Sequence, residues 1–314
     1  MGTHRAAVGV CVATVLLVAC SIDRMGTGVA ASDAGLDATT PPPPVLEAGG
    51  PMDAPPDRAV LEAGRDAADP IAACQAVCPS VGGACDASGT CVLTCSTSNS
   101  CASQVVCAPG VPCKVVCSGS QACAAGVACG GATACDVECS AYRSCGGKID
   151  CGTASGRCGV VCSGQEACGN GIACLSERCS IQCSHYRTCK NEITCAGSDC
   201  SVQCGGNNEA CDDVTCSTVA GGKCRVECST YRACKKVTCS ADSCDIVCKG
   251  QEACGVVAAT ARNATVSCTS YRSCTSADCP GGDGCRLDCS GPQSCASGIC
   301  CKALVCAGTA NTCT

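Results

Sequence analysis

The chain has 314 residues and a formal charge of −6, with 46 cysteines, four tyrosines and neither phenylalanine nor tryptophan. An aromatic core is therefore excluded, and any packed interior must be built from Cys, Val, Ile and Ala, with cross-links replacing the missing apolar volume. Residues 21 to 73 carry nine acidic and three basic residues, whereas residues 74 to 314 carry eighteen and seventeen, so the nearly neutral cysteine-rich part offers no electrostatic case for nucleic acid or anionic lipid.

Residues 1 to 19 begin Met-Gly-Thr-His-Arg and run on through the mostly apolar Ala6 to Ala19. A charged start, an apolar middle too short to span a bilayer and a small end are the order of a secretory signal peptide. Leu17-Val18-Ala19-Cys20 resembles the lipobox of bacterial lipoproteins. That resemblance implies that Cys20 is lipidated as the new N-terminus, that Cys11 is discarded, and that a membrane is a partner through the anchor. The plainer alternative is a cleaved signal beside a chance cysteine. Ser21 rather than Asp resembles lipoproteins sorted to the outer membrane, so the expected address is an exported outer-membrane lipoprotein, facing the periplasm or the cell surface. Myristoylation at Gly2 fails on Ala6.

After Cys20, residues up to 73 contain no cysteine, are rich in Ala, Asp, Pro and Gly, and include Pro41-Pro42-Pro43-Pro44 and a doubled Val-Leu-Glu-Ala-Gly at 45 to 49 and 60 to 64. Such a composition buries too little apolar surface to offset its ordering entropy. Residues 20 to 73 are expected to be the anchor site and a disordered tether, which as a flexible coil reaches roughly 40 Å.

Residues 74 to 314 hold 44 of the cysteines at regular spacing, which in an exported chain reads as a disulfide framework. Aligned on cysteine, the segment repeats every 20 to 24 residues from Cys91 onward, each unit reading C-x-[V/I/L]-x-C, about five residues, C, a few residues with Val or Ile two before the next cysteine, C, and a loop. In Cys179-Ser180-Ile181-Gln182-Cys183 the cysteines and Ile181 fall on one face of a strand, and Ile193 and Cys195 do the same on a second. The expected fold is all-β, a narrow disulfide-stapled β-solenoid of about ten coils and, at one strand spacing per coil, roughly 50 Å long. Residues 74 to 90 and 302 to 314 are expected to be its caps.

The repeats serve as their own alignment for pairing. Ala259 replaces a fourth cysteine and Ala264 the first cysteine of the next unit. Their joint loss pairs those two positions, giving Cys107–Cys113, Cys129–Cys135, Cys151–Cys158, Cys174–Cys179, Cys195–Cys200, Cys216–Cys224, Cys239–Cys244 and Cys279–Cys285. By elimination the second and third cysteines pair, as Cys95–Cys101, Cys117–Cys123, Cys139–Cys145, Cys162–Cys168, Cys183–Cys189, Cys204–Cys211, Cys228–Cys234, Cys248–Cys254, Cys268–Cys274 and Cys289–Cys295. At the C-terminus the pattern expects Cys301–Cys306 and Cys300–Cys313; Cys74, Cys78, Cys85 and Cys91 remain open. A competing scheme joins each cysteine to its counterpart one coil away. Local bridges require a turn between partners, because six residues of strand span about 20 Å and bridged Cα atoms lie within about 7 Å.

The repeat resembles cysteine-rich tandem-repeat lipoproteins of unassigned function from myxobacteria-like genomes, from Leu17-Val18-Ala19-Cys20 through the tether to the C-S-G-Q-E-A-C units. The stapled solenoid is similar in logic to the β-helical antifreeze proteins of insects. The outward slots here hold Lys114 and Val116, Asp136 and Glu138, or Arg225 and Glu227 rather than a threonine array, which leaves that likeness architectural.

Chemistry is sparse. His185 occupies a corner slot filled elsewhere by Ala141, Thr230 and Ser270, so it reads as a variable residue rather than a base. Asp199 and Asp212-Asp213 read as solvated turn residues, and the cysteine spacings lack the pairs of zinc modules; no catalytic residue, cofactor or metal is expected. The remaining pattern is the centre of the second-to-third-cysteine heptad, which alternates Tyr142-Arg143, Gln165-Glu166, Tyr186-Arg187, Asn208-Glu209, Tyr231-Arg232, Gln251-Glu252 and Tyr271-Arg272. Arg above Glu opposes slippage by one coil, and the four Tyr-Arg pairs form a candidate contact row for an extracellular glycan or protein. The expected function is a noncatalytic, surface-anchored structural or adhesive solenoid. The alternative is a carbohydrate-active hydrolase using surface carboxylates.

Overall fold

The computed structural model describes residues 69 to 308 except 153, 155, 281, 282, 298 and 302 to 305, with side chains as far as residue 297. The signal peptide, Cys20 and the tether up to residue 68 lie outside the described residues, as do the side chains of Cys300, Cys301, Cys306 and Cys313.

The first described element is a helix, Pro70–Val77, which begins inside the segment read as tether. Its start is local chemistry: the Asp69 carboxylate accepts the Ile71 N–H and Pro70 supplies a preset φ in the first turn. A short 3-10 turn, Cys78–Val81, and the strand Ala84–Cys85 follow. The strand pairs antiparallel with Cys91–Cys95, the first strand of the repeat.

From Cys91 onward each sequence unit is one coil. Its C-x-[V/I/L]-x-C strand joins a 12-stranded sheet and the strand around its second Val or Ile joins a 10-stranded sheet. Neighbouring coils pair parallel and in register, Cys179 beside Cys200, Ile181 beside Val202 and Cys183 beside Cys204. Strand alternation then does the sorting, because inward positions recur every second residue. Along Arg178–Cys183 the cysteines and Ile181 are buried while Arg178, Ser180 and Gln182 face water. Two apolar columns meet inside the coil, one through Val137, Val160, Ile181 and Val202, the other through Ile149, Ile172, Ile193 and Val214, all essentially inaccessible.

Among the described residues disulfides close both corners of the coils, except where Ala259 and Ala264 stand in place of one pair. The second and third cysteines bridge around one corner, from Cys95–Cys101 to Cys289–Cys295. The fourth cysteine bridges the first of the next coil around the other, from Cys107–Cys113 to Cys279–Cys285. No described bridge runs rung to rung. In the cap, Cys74 joins Cys85 and Cys78 joins Cys91, so Cys78 takes the place of the fourth cysteine that a preceding coil would have supplied. Gly83 passes so near this bridge that a Cβ would lie 2.6 Å from the Cys78 sulfur. Ala259 and Ala264 sit buried in the cysteine columns, beside Cys239 and between Cys244 and Cys285.

The bridges stack. The sulfurs of Cys95, Cys117 and Cys123 lie within 4.8 Å of one another, as do those of Cys107, Cys129 and Cys135. These sulfurs are consumed in disulfides, which offer a metal no thiolate. Cross-linking of this density marks an exported chain. Among the described residues no helix is long and apolar enough to cross a membrane.

Candidate functional site: the tyrosine-arginine corner and its groove

The corner between second and third cysteines is built on a backbone ladder. Arg143, Glu166, Arg187 and Glu209 all adopt the left-handed conformation, with φ of 52°, 56°, 51° and 49°. For non-glycine residues this costs on the order of 1 kcal/mol each. Each is held by the bridge across the corner and by an N–H bond to the next coil: Arg143 donates to the Gln165 carbonyl at 2.9 Å, Glu166 to Tyr186 at 3.0 Å, Arg187 to Asn208 at 3.2 Å. The residue before the third cysteine packs beneath the turn and must be small. Ser144 and Thr188 are fully buried there, donating to the Ala141 and His185 carbonyls at 2.9 and 3.0 Å.

The alternation of the corner is steric as well as electrostatic. Coils bearing Glu or Gln carry glycine two residues after the second cysteine, at Gly119, Gly164, Gly206, Gly250 and Gly291, and a Cβ at any of them would run into the backbone of the preceding coil. For Gly164 the obstacle is the Ala141 carbonyl oxygen, for Gly250 that of Thr230. Coils bearing Tyr-Arg fill the same slot with Ala141, His185, Thr230 or Ser270. His185 turns its ring back on its own chain, its Nδ1 accepting the Tyr186 N–H at 2.8 Å.

All eight residues of the candidate row lie on this one corner. Each arginine lays its guanidinium on its own tyrosine, 4.9, 5.0, 4.8 and 5.2 Å from the ring centroid for Arg143, Arg187, Arg232 and Arg272. Each then bonds forward by one coil: Arg143 to Glu166 at 2.7 Å, Arg187 to Glu209 at 2.9 Å, Arg232 to Glu252 at 2.8 Å, and Arg272 to the neutral Gln293 at 2.8 Å. The hydrogen bond to the carboxylate, reinforced by its charge, raises the first three arginines above their ordinary value. Tyr142 and Tyr271 are 40% and 38% exposed; Tyr186 and Tyr231 are half-buried. Recurring on every second coil, the tyrosines stand about 10 Å apart.

A groove runs beside this corner. In coils up to Cys195 five residues separate the third and fourth cysteines; Cys211 to Cys216, Cys234 to Cys239 and Cys274 to Cys279 are separated by four. In the longer form the third cysteine is itself left-handed, as at Cys145 and Cys189, and the second-sheet strand starts late, as in Ile193–Cys195. In the shorter form the strand leaves the bridge at once, as in Cys211–Ser217, Cys234–Ser240 and Cys274–Cys279. The space beside the arginine ladder stays open there as a groove of about 620 Å³, to which Glu209, Asp212, Arg232, Lys235, Glu252, Arg272, Thr275, Gln293 and Ser297 contribute. The equivalent hollow at Arg143, Gly146, Glu166, Asn170, Arg187 and Lys190 is about 370 Å³. Burial, opposed by the Lys235 charge, pushes the Asp212 carboxyl above its usual range. Asp213 occupies the adjacent strand position, while Asp199 starts a strand of the other sheet, in register with Arg178 and Lys223.

The first sheet's outer face is laced differently, by pairs such as Arg157 with Asp136 at 2.6 Å and Lys249 with Glu227 at 3.0 Å. No protein family model, curated protein or solved structure matches this chain.

Proposed function

We propose that the protein is an exported, lipid-anchored, noncatalytic solenoid that binds an extended ligand, a glycan or a protein segment, along the tyrosine-arginine corner. The observation that carries this reading is the row itself: four Tyr-Arg stacks at one corner, one on every second coil, beside a lateral groove. A row at fixed spacing on a stapled scaffold gains affinity by engaging several repeats of a polymer at once. It loses little on binding because the rings are already ordered. The anchor rests on Leu17-Val18-Ala19-Cys20 and the outer-membrane address on Ser21. Labelling with a radioactive fatty acid that a Cys20→Ser variant fails to incorporate tests the first; fractionation of inner and outer membranes tests the second.

A glycan and peptide array probed with the oxidised full-length protein tests the binding. The expected result is retention of an extended polymer, weakened when Tyr142, Tyr186, Tyr231 and Tyr271 are all changed to Ala. A second reading, a carbohydrate-active hydrolase, is favoured by one feature, the raised carboxyl of Asp212 in a groove that also holds Glu209 and Glu252. Those two glutamates are engaged by Arg187 and Arg232. Shortening of a retained glycan, abolished by Asp212→Asn, would decide for the hydrolase.

A further inference from the structure

We infer that the wide groove recognises an acidic polysaccharide and that Arg272 holds its anionic group; the inference rests on the binding role proposed for the corner and names its ligand class. The arginine ladder contains one more cation than it compensates. Arg143, Arg187 and Arg232 each meet a glutamate one coil on, but the coil after Arg272 offers Gln293, whose Oε1 accepts the guanidinium Nε–H and brings no charge. Among the described residues Arg272 has no carboxylate within ion-pair distance, nor has Lys235, and both line the 620 Å³ groove.

The acids of the same groove do not cancel them. Glu252 is bonded to Arg232 and Glu209 to Arg187, and the cation that acts most on Asp212 is Lys235, so none of the three is paired with Arg272. A ligand entering the groove therefore meets an uncompensated guanidinium fork beside an ammonium. That geometry suits a planar carboxylate or a sulfate taken by two N–H bonds.

The neighbouring surface points to a sugar rather than to another anion. Tyr271 is 38% exposed, and beside the guanidinium stacked over its ring it offers aromatic surface to an apolar sugar face. Hydroxyls of Thr275 and Ser297 and the Gln293 amide supply neutral partners along the groove. The near-neutral charge of residues 74 to 314 gives no support for nucleic acid. Uronate and sulfate are two sources of the same chemistry.

The test uses the oxidised full-length protein with polygalacturonate oligomers, dextran sulfate and neutral dextran, read by calorimetry or biolayer interferometry. At least one acidic polymer is expected to bind about tenfold or more tighter than dextran, as one charge-assisted contact gives. Arg272→Gln should remove that preference. Gln293→Glu, which supplies the missing carboxylate, should remove it too while extending the pattern already present at Glu252. Arg157→Gln on the outer face of the other sheet should leave it intact. Equal binding of neutral and acidic polymers, or an acidic preference indifferent to both groove variants, overturns the inference and leaves a binding corner standing. Retention of a peptide but of no polysaccharide overturns the inference alone; retention of nothing, on polymer or array, overturns the binding role with it.

Discussion

Coils before Cys195 and coils from Cys200 to Cys279 share their apolar columns and, apart from the bridge absent at Ala259 and Ala264, their bridging pattern, yet they present different surfaces. The difference is one residue between the third and fourth cysteines. With five residues, the chain makes a second left-handed turn at the bridge and only two to four residues pair in the second sheet; with four, six or seven do. Parity explains it. Cys211 and Cys216 are an odd number apart, so they cannot both face inward on a regular strand, and the burial pattern shows two consecutive half-exposed residues, Asp212 and Asp213, absorbing the mismatch. A core held by covalent staples tolerates such changes, and the outside pays for them in shape: the groove opens where the residue is missing.

The largest expected effect tests what both regions have in common. Gly164→Ala and Gly250→Ala each drive a methyl group into the carbonyl of the preceding coil, and each should lower stability by about 1 to 3 kcal/mol, seen as an earlier thermal transition. Similar losses would show that the corner is one device throughout; a loss confined to Gly164 would show that the longer strands around Gly250 compensate. Next, Ala259→Cys with Ala264→Cys restores the bridge absent from the strand-rich half and should raise stability by about 2 kcal/mol in the chain-entropy model. Non-reducing peptide mapping checks that the new pair has formed.

A smaller effect, about 1 kcal/mol, is expected from moving the difference itself. Inserting Gly between Asp213 and Val214 gives this coil the longer spacing, and hydrogen exchange should show lost protection near Cys211 together with a narrowed groove. Removing Asn191 should do the reverse and extend the strand that now begins at Ile193. Smallest is Arg187→Gln, which removes a pair whose side chains are 39% and 40% exposed. Its cost should be the smallest of these and should shrink further in high salt.

Much of the scaffold was legible because each unit reports on its neighbours. Ile181 between Cys179 and Cys183 fixed a strand and its inward face, and the joint absence of cysteine at Ala259 and Ala264 pointed to the pairing around the second corner. The cap was not legible: four cysteines allow three connectivities, and only the fold brings Cys78 to the orphaned Cys91. The helix at Pro70 was masked by composition, although Asp69-Pro70 is a sound start signal. At the site, the Tyr-Arg row could be aligned from sequence, whereas its cation–π stacking and the forward direction of its ion pairs could not. The groove left a trace in the spacing of Cys211 and Cys216, but one missing residue acquires meaning only through strand parity. Likewise Gly164 and Gly250 look like ordinary turn glycines until the carbonyls of Ala141 and Thr230 are placed against them.

That alternation also sets the step by which such a chain can lengthen or shorten. Excising the single coil from Cys158 to Arg178 would set His185, which carries a Cβ, against the Ala141 carbonyl and Arg143 beside Arg187. Excising residues 158 to 199 together would bring Gly206 onto Ala141 and Glu209 onto Arg143, keeping the glycine fit and the charge alternation across the seam. The second deletion should yield a cooperatively melting, protease-resistant protein and the first should not, and comparable yields of both would show that the coils are independent. The step that keeps this corner in phase is then a pair of coils, one with tyrosine and arginine and one with glycine and glutamate, so lengthening or shortening by whole pairs should be tolerated best.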